Sequence, residues 1–321
     1  SKVSFTLKKG ERVAIIGENG KGKSTLLKTL MGQIPPLGGS YTVGTGVEVG
    51  YFDQQAAVAE SMYPDKTVLN DFWDMYPTLK EVEVRNALGS FLFTGEEVFK
   101  TLGQLSGGEK VRLALCKMFK RRPNLLILDE PTNHMDLIGK EALENMLKNY
   151  TGTILFVSHD RYFIKEIATG MLDFKQDKTV FYDCGYEEYL ERLQKEGFSI
   201  LMDDFGSGYS SLNVLKDIAV DVLKIDMKFL SDTDQEGRSQ NILASVVRMA
   251  KWLNLPVIAE GVERREQVDF LHSVGCEYVQ GFYFARPMPV SDYEKLVSEK
   301  KDELQEKYQK DEIGRDMLWN A

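Results

Sequence analysis

Two apolar rhythms divide the chain. Over residues 1 to about 196 the strand-like stretches are continuous apolar runs, as in residues 13–16 (VAII), "NLLILDE" and "GTILFVSHD". Such uninterrupted runs predict strands buried inside a parallel sheet. Helical periodicity appears between them: in "LSGGEKVRLALCKMF", Val111, Leu115 and Met118 fall on one apolar stripe. From Gly197 to about residue 300 the rhythm shortens. The strand-like runs "FSILMDD", "VDVLKID", "LPVIAEG" and "YVQGFYF" alternate with helix-like stretches such as "SQNILASVVRMAKWL" and "RREQVDFLHSVG". Repeated strand–helix units of this kind predict a second parallel sheet. The stretch after Pro289 begins as a helix, and residues 301–321 are a charged run expected to be a solvated helix or a disordered tail.

Composition supports two cores, because 321 residues with 43% hydrophobic content are enough for two domains of ordinary size. Acidic residues outnumber basic ones 49 to 40, for a net charge of -9, so bulk charge would not draw the chain onto nucleic acid. Any RNA contact would have to be local. Cys116, Cys184 and Cys276 are widely spaced and form no CxxC pair, which fits reduced, buried thiols. No apolar run approaches the ~20 residues of a membrane span, and a soluble, cytoplasmic protein is expected. The chain starts at Ser1 with the strand-like "SKVSFTL", from which an N-terminal portion is expected to precede it.

The strand at residues 13–16 leads into Gly17-Glu-Asn19-Gly20-Lys-Gly22-Lys23-Ser24-Thr25 and then a helical pattern. This is GxxxxGK[ST] in its strand–loop–helix setting, where backbone N–H groups and a helix N-terminus cradle phosphates. Lys23 would reach the terminal phosphates, and Ser24 would ligate Mg²⁺. "NLLILDE" ends in Asp129, placed to hold the Mg²⁺ shell, and Glu130, placed to orient or deprotonate a water. "GTILFVSHD" ends in His159, placed to sense the γ-phosphate. Ser106, Gly107 and Gly108 open a helix whose N-terminus is either a further anion site or simply capped.

Together these residues resemble the ATP-binding cassette ATPases. The P-loop, Gln54 in "GYFDQ", the "LSGGE" signature, "LLILDEPTNHMD" and His159 occur in family order across nearly all of the first segment. The resemblance implies that Gln54 is the Q-loop residue and a further Mg²⁺ contact, Asp136 the D-loop residue and Glu130 the catalytic glutamate. "DEPTNHMD" with "VSHDRYF" looks most like the ABC-F subgroup, cytoplasmic proteins without membrane domains that often act on ribosomes. Since one cassette's signature loop completes another's phosphate site, a second cassette is implied as partner, either a copy of this chain or the other half of an ABC-F protein. The adenine-stacking aromatic that family cassettes carry near their start is expected to be missing, weakening nucleotide affinity.

In the second segment, Asp203, Asp204, Lys224, Glu260 and Gln280 fall at successive strand ends, where such folds place reactive groups. Carboxylates with a lysine and a carboxamide suit Mg²⁺ or Mn²⁺ and water activation, although strand ends are also polar simply because they meet solvent. "DDFGSGYSSL", "VDVLKID", "VIAEGVE" and "GCEYVQGFYFARPMP" closely resemble the C-terminal part of EAL domains, cyclic di-GMP phosphodiesterases on a TIM-type β/α barrel. The resemblance implies that Asp203 and Asp204 are the metal pair, with Glu260 as a further ligand. It places Lys224 near the catalytic water, Glu263 as the second glutamate of "AEGVE", Gln280 as another site position and residues 206–211 as the loop beside the metals. The Glu-Ala-Leu motif that names the family is expected to be absent from the chain. A barrel of this type needs ~250 residues and the family's N-terminal metal ligands have no counterpart, so half a barrel without phosphodiesterase activity is expected, with cyclic di-GMP binding or hydrolysis as the alternative.

The fold expected is therefore α/β, a P-loop ABC cassette (1–196) followed by a partial TIM-type barrel (197–300). The resemblances meet within "ERLQKEGFSIL" with no Pro-, Ser- or Gly-rich spacer, so a non-physiological chimera without joint function is the rival account.

Overall fold

The structure is a computed structural model that describes residues 3–59, 62–175, 178–203, 205, 220–227 and 238–299. The chain forms two compact units, Ser1–Phe198 and Ser199–Ala321. Asp204, residues 206–211 and the charged tail 301–321, all singled out in the sequence, lie outside the described residues.

The first unit is built on a six-stranded sheet in the order β2-β3-β4-β1-β5-β6. Its strands are β1 (Arg12–Gly17), β2 (Val49–Asp53), β3 (Leu125–Asp129), β4 (Thr153–Val157), β5 (Gly170–Phe174) and β6 (Thr179–Tyr182). All neighbours run parallel except β6, which is antiparallel to β5. The continuous apolar runs are the central strands: every residue of β4 and β5, and all of β3 after Leu125, is buried. Val13, Ile15, Ile127, Leu155, Val157, Leu172 and Phe174 make one core face, to which α1 (Lys23–Leu30) contributes Leu27. Strand β1 lies between β4 and β5, so the following connections leave to opposite sides and a crevice opens at the carboxyl ends of the strands.

Side-chain caps fix the helices that rim this crevice. Asp53 caps the short α2 (Gln54–Val58), Ser106 caps α5 (Gly107–Lys120), Asp136 caps α6 (Leu137–Asn149) and Asp160 caps α7 (Arg161–Ile167). Each accepts from backbone N–H groups that the first turn leaves unsatisfied. Between α2 and α5 lie α3 (Val68–Met75) and α4 (Glu81–Gly89), and α8 (Tyr186–Lys195) follows the sheet.

The second unit holds a four-stranded sheet in which β7 (Leu201–Met202), β8 (Val222–Asp226), β9 (Val257–Glu260) and β10 (Tyr278–Gln280) lie side by side in chain order, all parallel. Helix α9 (Arg238–Trp252) links β8 to β9, and α10 (Arg265–Ser273) links β9 to β10. Sequential parallel strands with intervening helices are the unit of a TIM-type barrel. The strands are shorter than their apolar runs suggested: in "YVQGFYF" only the first three residues pair, because the chain turns at Gly281.

One sequence expectation fails outright. A Glu-Ala-Leu tripeptide is present, at Glu141, Ala142 and Leu143. It lies in α6 of the first unit, with Glu141 exposed and Leu143 in the core, where helical packing accounts for it. It is at no strand end, and residues 197–321 contain no second Glu-Ala-Leu tripeptide.

Candidate functional site

The loop from Gly17 to Gly22 joins β1 to α1 and gathers the residues expected to cradle phosphates. Gly17 has φ 135°, and a Cβ there would lie 2.8 Å from both the Cβ and the carbonyl oxygen of Phe174 on β5. No larger residue fits between the adjacent strands. Asn19 and Gly20 are exposed at the loop tip, and Ser24 and Thr25 are exposed in the first turn of α1. Lys23 is buried and folds back so that its Nζ donates to the carbonyls of Gly17 at 2.7 Å and Glu18 at 3.0 Å. Burial holds its pKa below the ordinary lysine value, partly offset by the charges of Glu130 and Asp129.

Across the crevice, the hydroxyl of Ser24 donates to Asp129 Oδ1 at 3.0 Å. Asp129 is buried at the end of β3, and desolvation raises its carboxyl pKa while the Ser24 hydrogen bond lowers it. Glu130 adopts φ 50°, rare for a residue with a side chain, and its N–H donates to the Val157 carbonyl at 3.0 Å. Its carboxylate accepts from the His159 N–H at 3.2 Å, and its Oε1 lies 3.3 Å from His159 Nε2. Burial raises the Glu130 pKa, and His159 draws it back. Gln54 follows β2 as the first residue of α2, its Oε1 accepting from Asn133 Nδ2 at 3.3 Å. A buried carboxylate, a hydroxyl and a carboxamide beside a buried lysine and a helix N-terminus form a donor set suited to a hard divalent ion and a phosphate chain.

At the helix opened by Ser106, both readings of the sequence meet one geometry. Ser106 and Glu109 form a reciprocal capping box, and Lys100 donates to Glu109 Oε1 at 2.7 Å. Gly107 and Gly108 pack against the loop after β3: a Cβ on Gly108 would lie 2.6 Å from the His134 carbonyl oxygen. Asp136, on the same loop, is exposed, and its Oδ1 accepts from the Gly139 N–H at 3.0 Å.

In the second unit, Lys224 lies on β8, Glu260 at the end of β9 and Asp203 just beyond β7. Lys224 bonds to Glu260, and its Nζ is 3.7 Å from Asp203 Oδ1. The Glu260 contact, ahead of the other causes, raises the Lys224 pKa. Gln280 is the register partner of Glu260 on β10. Glu263 is exposed beyond β9, its N–H donating to Gln267 Oε1 at 2.8 Å. Among the described residues no group of three His, Cys, Asp or Glu side chains is arranged to hold a metal ion.

Two participants escaped the sequence. Asn133, in the sequence no more than part of a motif, holds the Gln54 carboxamide. Asp53, beside Gln54, is the register partner of Asp129, and its Oδ2 lies 3.6 Å from Lys28 Nζ on α1. The only sequence signal for it is a carboxylate at the end of an apolar strand, the same signal that marked Asp129.

Residues 1–133 match the family described as ABC transporter, and residues 173–287 match the EAL domain family. The chain is similar to the ATP-binding protein YdiF of Bacillus subtilis (strain 168), 52% identical over 196 residues, which cover 61% of this chain and 30% of YdiF. It is 40% identical over 193 residues to ABC transporter F family member 2 of Arabidopsis thaliana, covering 60% of this chain and 28% of that protein. It is also 40% identical over 198 residues to the energy-dependent translational throttle protein EttA of Haemophilus influenzae, covering 60% of this chain and 35% of EttA. The chain thus spans about a third of the length of these curated relatives. Among the described residues no helix is long and apolar enough to cross a membrane.

Proposed function

We propose that this chain, whose N-terminal part is an ABC-F-like ATP-binding cassette and whose later part carries an EAL-domain segment, binds Mg·ATP in the crevice of its first unit and hydrolyses it. The observation that carries the reading is the Ser24–Asp129 hydrogen bond at 3.0 Å with the Glu130–His159 pair beside it, all at the mouth of the P-loop. The backbone N–H groups from Gly17 to Gly22, with Asn19, Gly20 and Thr25 on the rim, face the phosphates. Lys23 exchanges the carbonyls of Gly17 and Glu18 for phosphate oxygens. Ser24, Gln54 and Asp129 hold Mg²⁺, which supplies charge neutralisation at the phosphates. Glu130, its pKa raised by burial, accepts the proton of the attacking water, and His159 holds Glu130 and contacts the γ-phosphate.

Ser106, Gly107, Gly108 and Asp136 act on the phosphate site of a second cassette, which is the implied partner. The similarity to EttA, a translational throttle protein, favours a role in translation for the assembled protein, and this reading includes a ribosomal partner and a cytoplasmic setting. ATP turnover of the purified chain tests the reading against Glu130→Gln, for which a loss of roughly 10²-fold is expected. Equal rates in the two, or no nucleotide binding by either, would sink it.

A second reading concerns the EAL-domain segment, favoured by the family match and by the cluster of Lys224, Asp203 and Glu260. The lysine already supplies positive charge to both carboxylates, which supports a unit inactive as a phosphodiesterase over one that hydrolyses cyclic di-GMP. Incubation with cyclic di-GMP and Mg²⁺ or Mn²⁺ decides between them: hydrolysis that Asp203→Ala abolishes would reverse the choice.

A further inference from the structure

The end of β2 carries a carboxylate to which the ATPase reading gives no task. Asp53 and Asp129 are register partners on neighbouring parallel strands, so their side chains leave the same face of the sheet at the same level. Asp129 takes the Ser24 hydroxyl. Asp53 is engaged otherwise: its Oδ1 accepts from the N–H groups of Gln55 at 2.9 Å and Ala56 at 3.2 Å, and its Oδ2 accepts from the Tyr51 hydroxyl at 3.3 Å. Lys28 Nζ, in the last turn of α1, lies 3.6 Å from the same Oδ2. The Asp53 side chain is 16% exposed, so this pair is better shielded from solvent than an ordinary surface ion pair.

These contacts converge on one residue. Gln54 is the first residue of α2, and Asp53 fixes that helix by its cap. The Lys28 pair ties the cap to the helix whose first turn contains Lys23 and Ser24. From the other side, Asn133 donates to the Gln54 carboxamide. We infer that Asp53 is a positioning residue for the ATP site: with Lys28 it sets the Gln54 carboxamide at a fixed place relative to the P-loop helix, and its own carboxylate is occupied so that Asp129 is the one left for the metal. The inference rests on the ATPase reading of the same crevice. Asp53 acts through Gln54.

The test is steady-state ATP turnover by the full chain as a function of Mg·ATP, with four variants: Asp53→Ala, Asp53→Asn, Gln54→Ala, and Asp53→Ala combined with Gln54→Ala. Displacement of a group near the reacting atoms predicts a kcat roughly tenfold lower for Asp53→Ala, with KM for Mg·ATP within about twofold of the unmodified chain. Asn keeps an oxygen that can accept from Gln55 and Ala56, so Asp53→Asn recovers most of kcat. The double variant turns over at the rate of Gln54→Ala alone, because removing the positioned group makes its positioner irrelevant. An unchanged kcat in Asp53→Ala, a loss confined to KM, or losses that multiply in the double variant would each overturn the inference. Absence of turnover in the unmodified chain has a different signature, since it removes the ATPase reading itself and this assignment with it.

Discussion

Both units bring carboxylates and a lysine to the carboxyl ends of parallel strands, and they use them in opposite ways. In the first, Lys23 donates to the backbone carbonyls of its own loop, while Asp129 takes a neutral hydroxyl and Glu130 faces His159. In the second, Lys224 lies between Glu260 and Asp203. Burial lowers the pKa of Lys23, whereas the Glu260 contact raises that of Lys224. The first arrangement holds its charges ready for a ligand that carries both signs, such as Mg·ATP. The second commits its lysine to carboxylates of its own unit. Residue types at strand ends therefore do not define a site until the partner of each charge is known.

The sharpest way to break this contrast is to remove each lysine in turn. Lys23→Met should lower ATP turnover by roughly 10²-fold, while Lys224→Met should leave it unchanged in the same assay. A fall in turnover for Lys224→Met would mean that the units are energetically coupled, and the contrast between a working and a balanced site would be lost.

A smaller effect separates the units by pH. Glu144 on α6 is 7% exposed, and burial, with the charge of Asp160 next, pushes its pKa up to about 7. An unfolded glutamate titrates near ~4.3. The folded state therefore holds this proton more tightly than the unfolded state does. The stability that this contributes is present below the unfolded value and is lost as pH rises to about 7. In Glu144→Gln that loss disappears, so the variant should be more stable than the parent at pH ~8 by roughly 1 kcal/mol or more, with a smaller difference at pH ~5. Urea denaturation at both pH values gives the comparison, and parallel pH dependence in the two proteins would count against it.

The smallest effect concerns the second unit. Lys224 is raised in the folded state, so its contribution to stability is present below the unfolded lysine value of ~10.4 and is lost only as pH climbs through the higher folded value. The carboxylates that hold it are substantially exposed, and Lys224→Met should cost only ~1 kcal/mol at neutral pH. Denaturation followed in the alkaline range should show the parent's advantage over the variant shrinking. An advantage that persists unchanged would show that the lysine acts through packing rather than charge.

The first unit was largely legible because its signals are local. A buried strand, a glycine turn and a helix occupy consecutive positions, and Asp129, Glu130 and His159 terminate their own apolar runs. What escaped depends on register between distant strands: Asp53 stands beside Asp129 only because β2 pairs with β3 across 75 intervening positions. The tight approach of Gly108 to His134 is hidden for the same reason, since the sequence shows a glycine but not what lies against it. The Glu-Ala-Leu tripeptide gives the converse lesson. Three residues can spell a family motif and still serve only to pack a helix of another unit.

The contact between Gly17 and Phe174 bears on how this protein can be dissected. The EAL-family match begins at Asp173, one residue before Phe174, which suggests a convenient place to cut. Yet Asp173 and Phe174 belong to β5, which pairs with β1 along its length, and Phe174 is the register partner of Gly17 at the root of the phosphate loop. A fragment ending there would lose the end of β5 and all of β6, leaving the loop without the wall it rests on. The point where one family's likeness starts is thus an internal support of the other's fold, and fragments for separate study should be divided on the far side of α8.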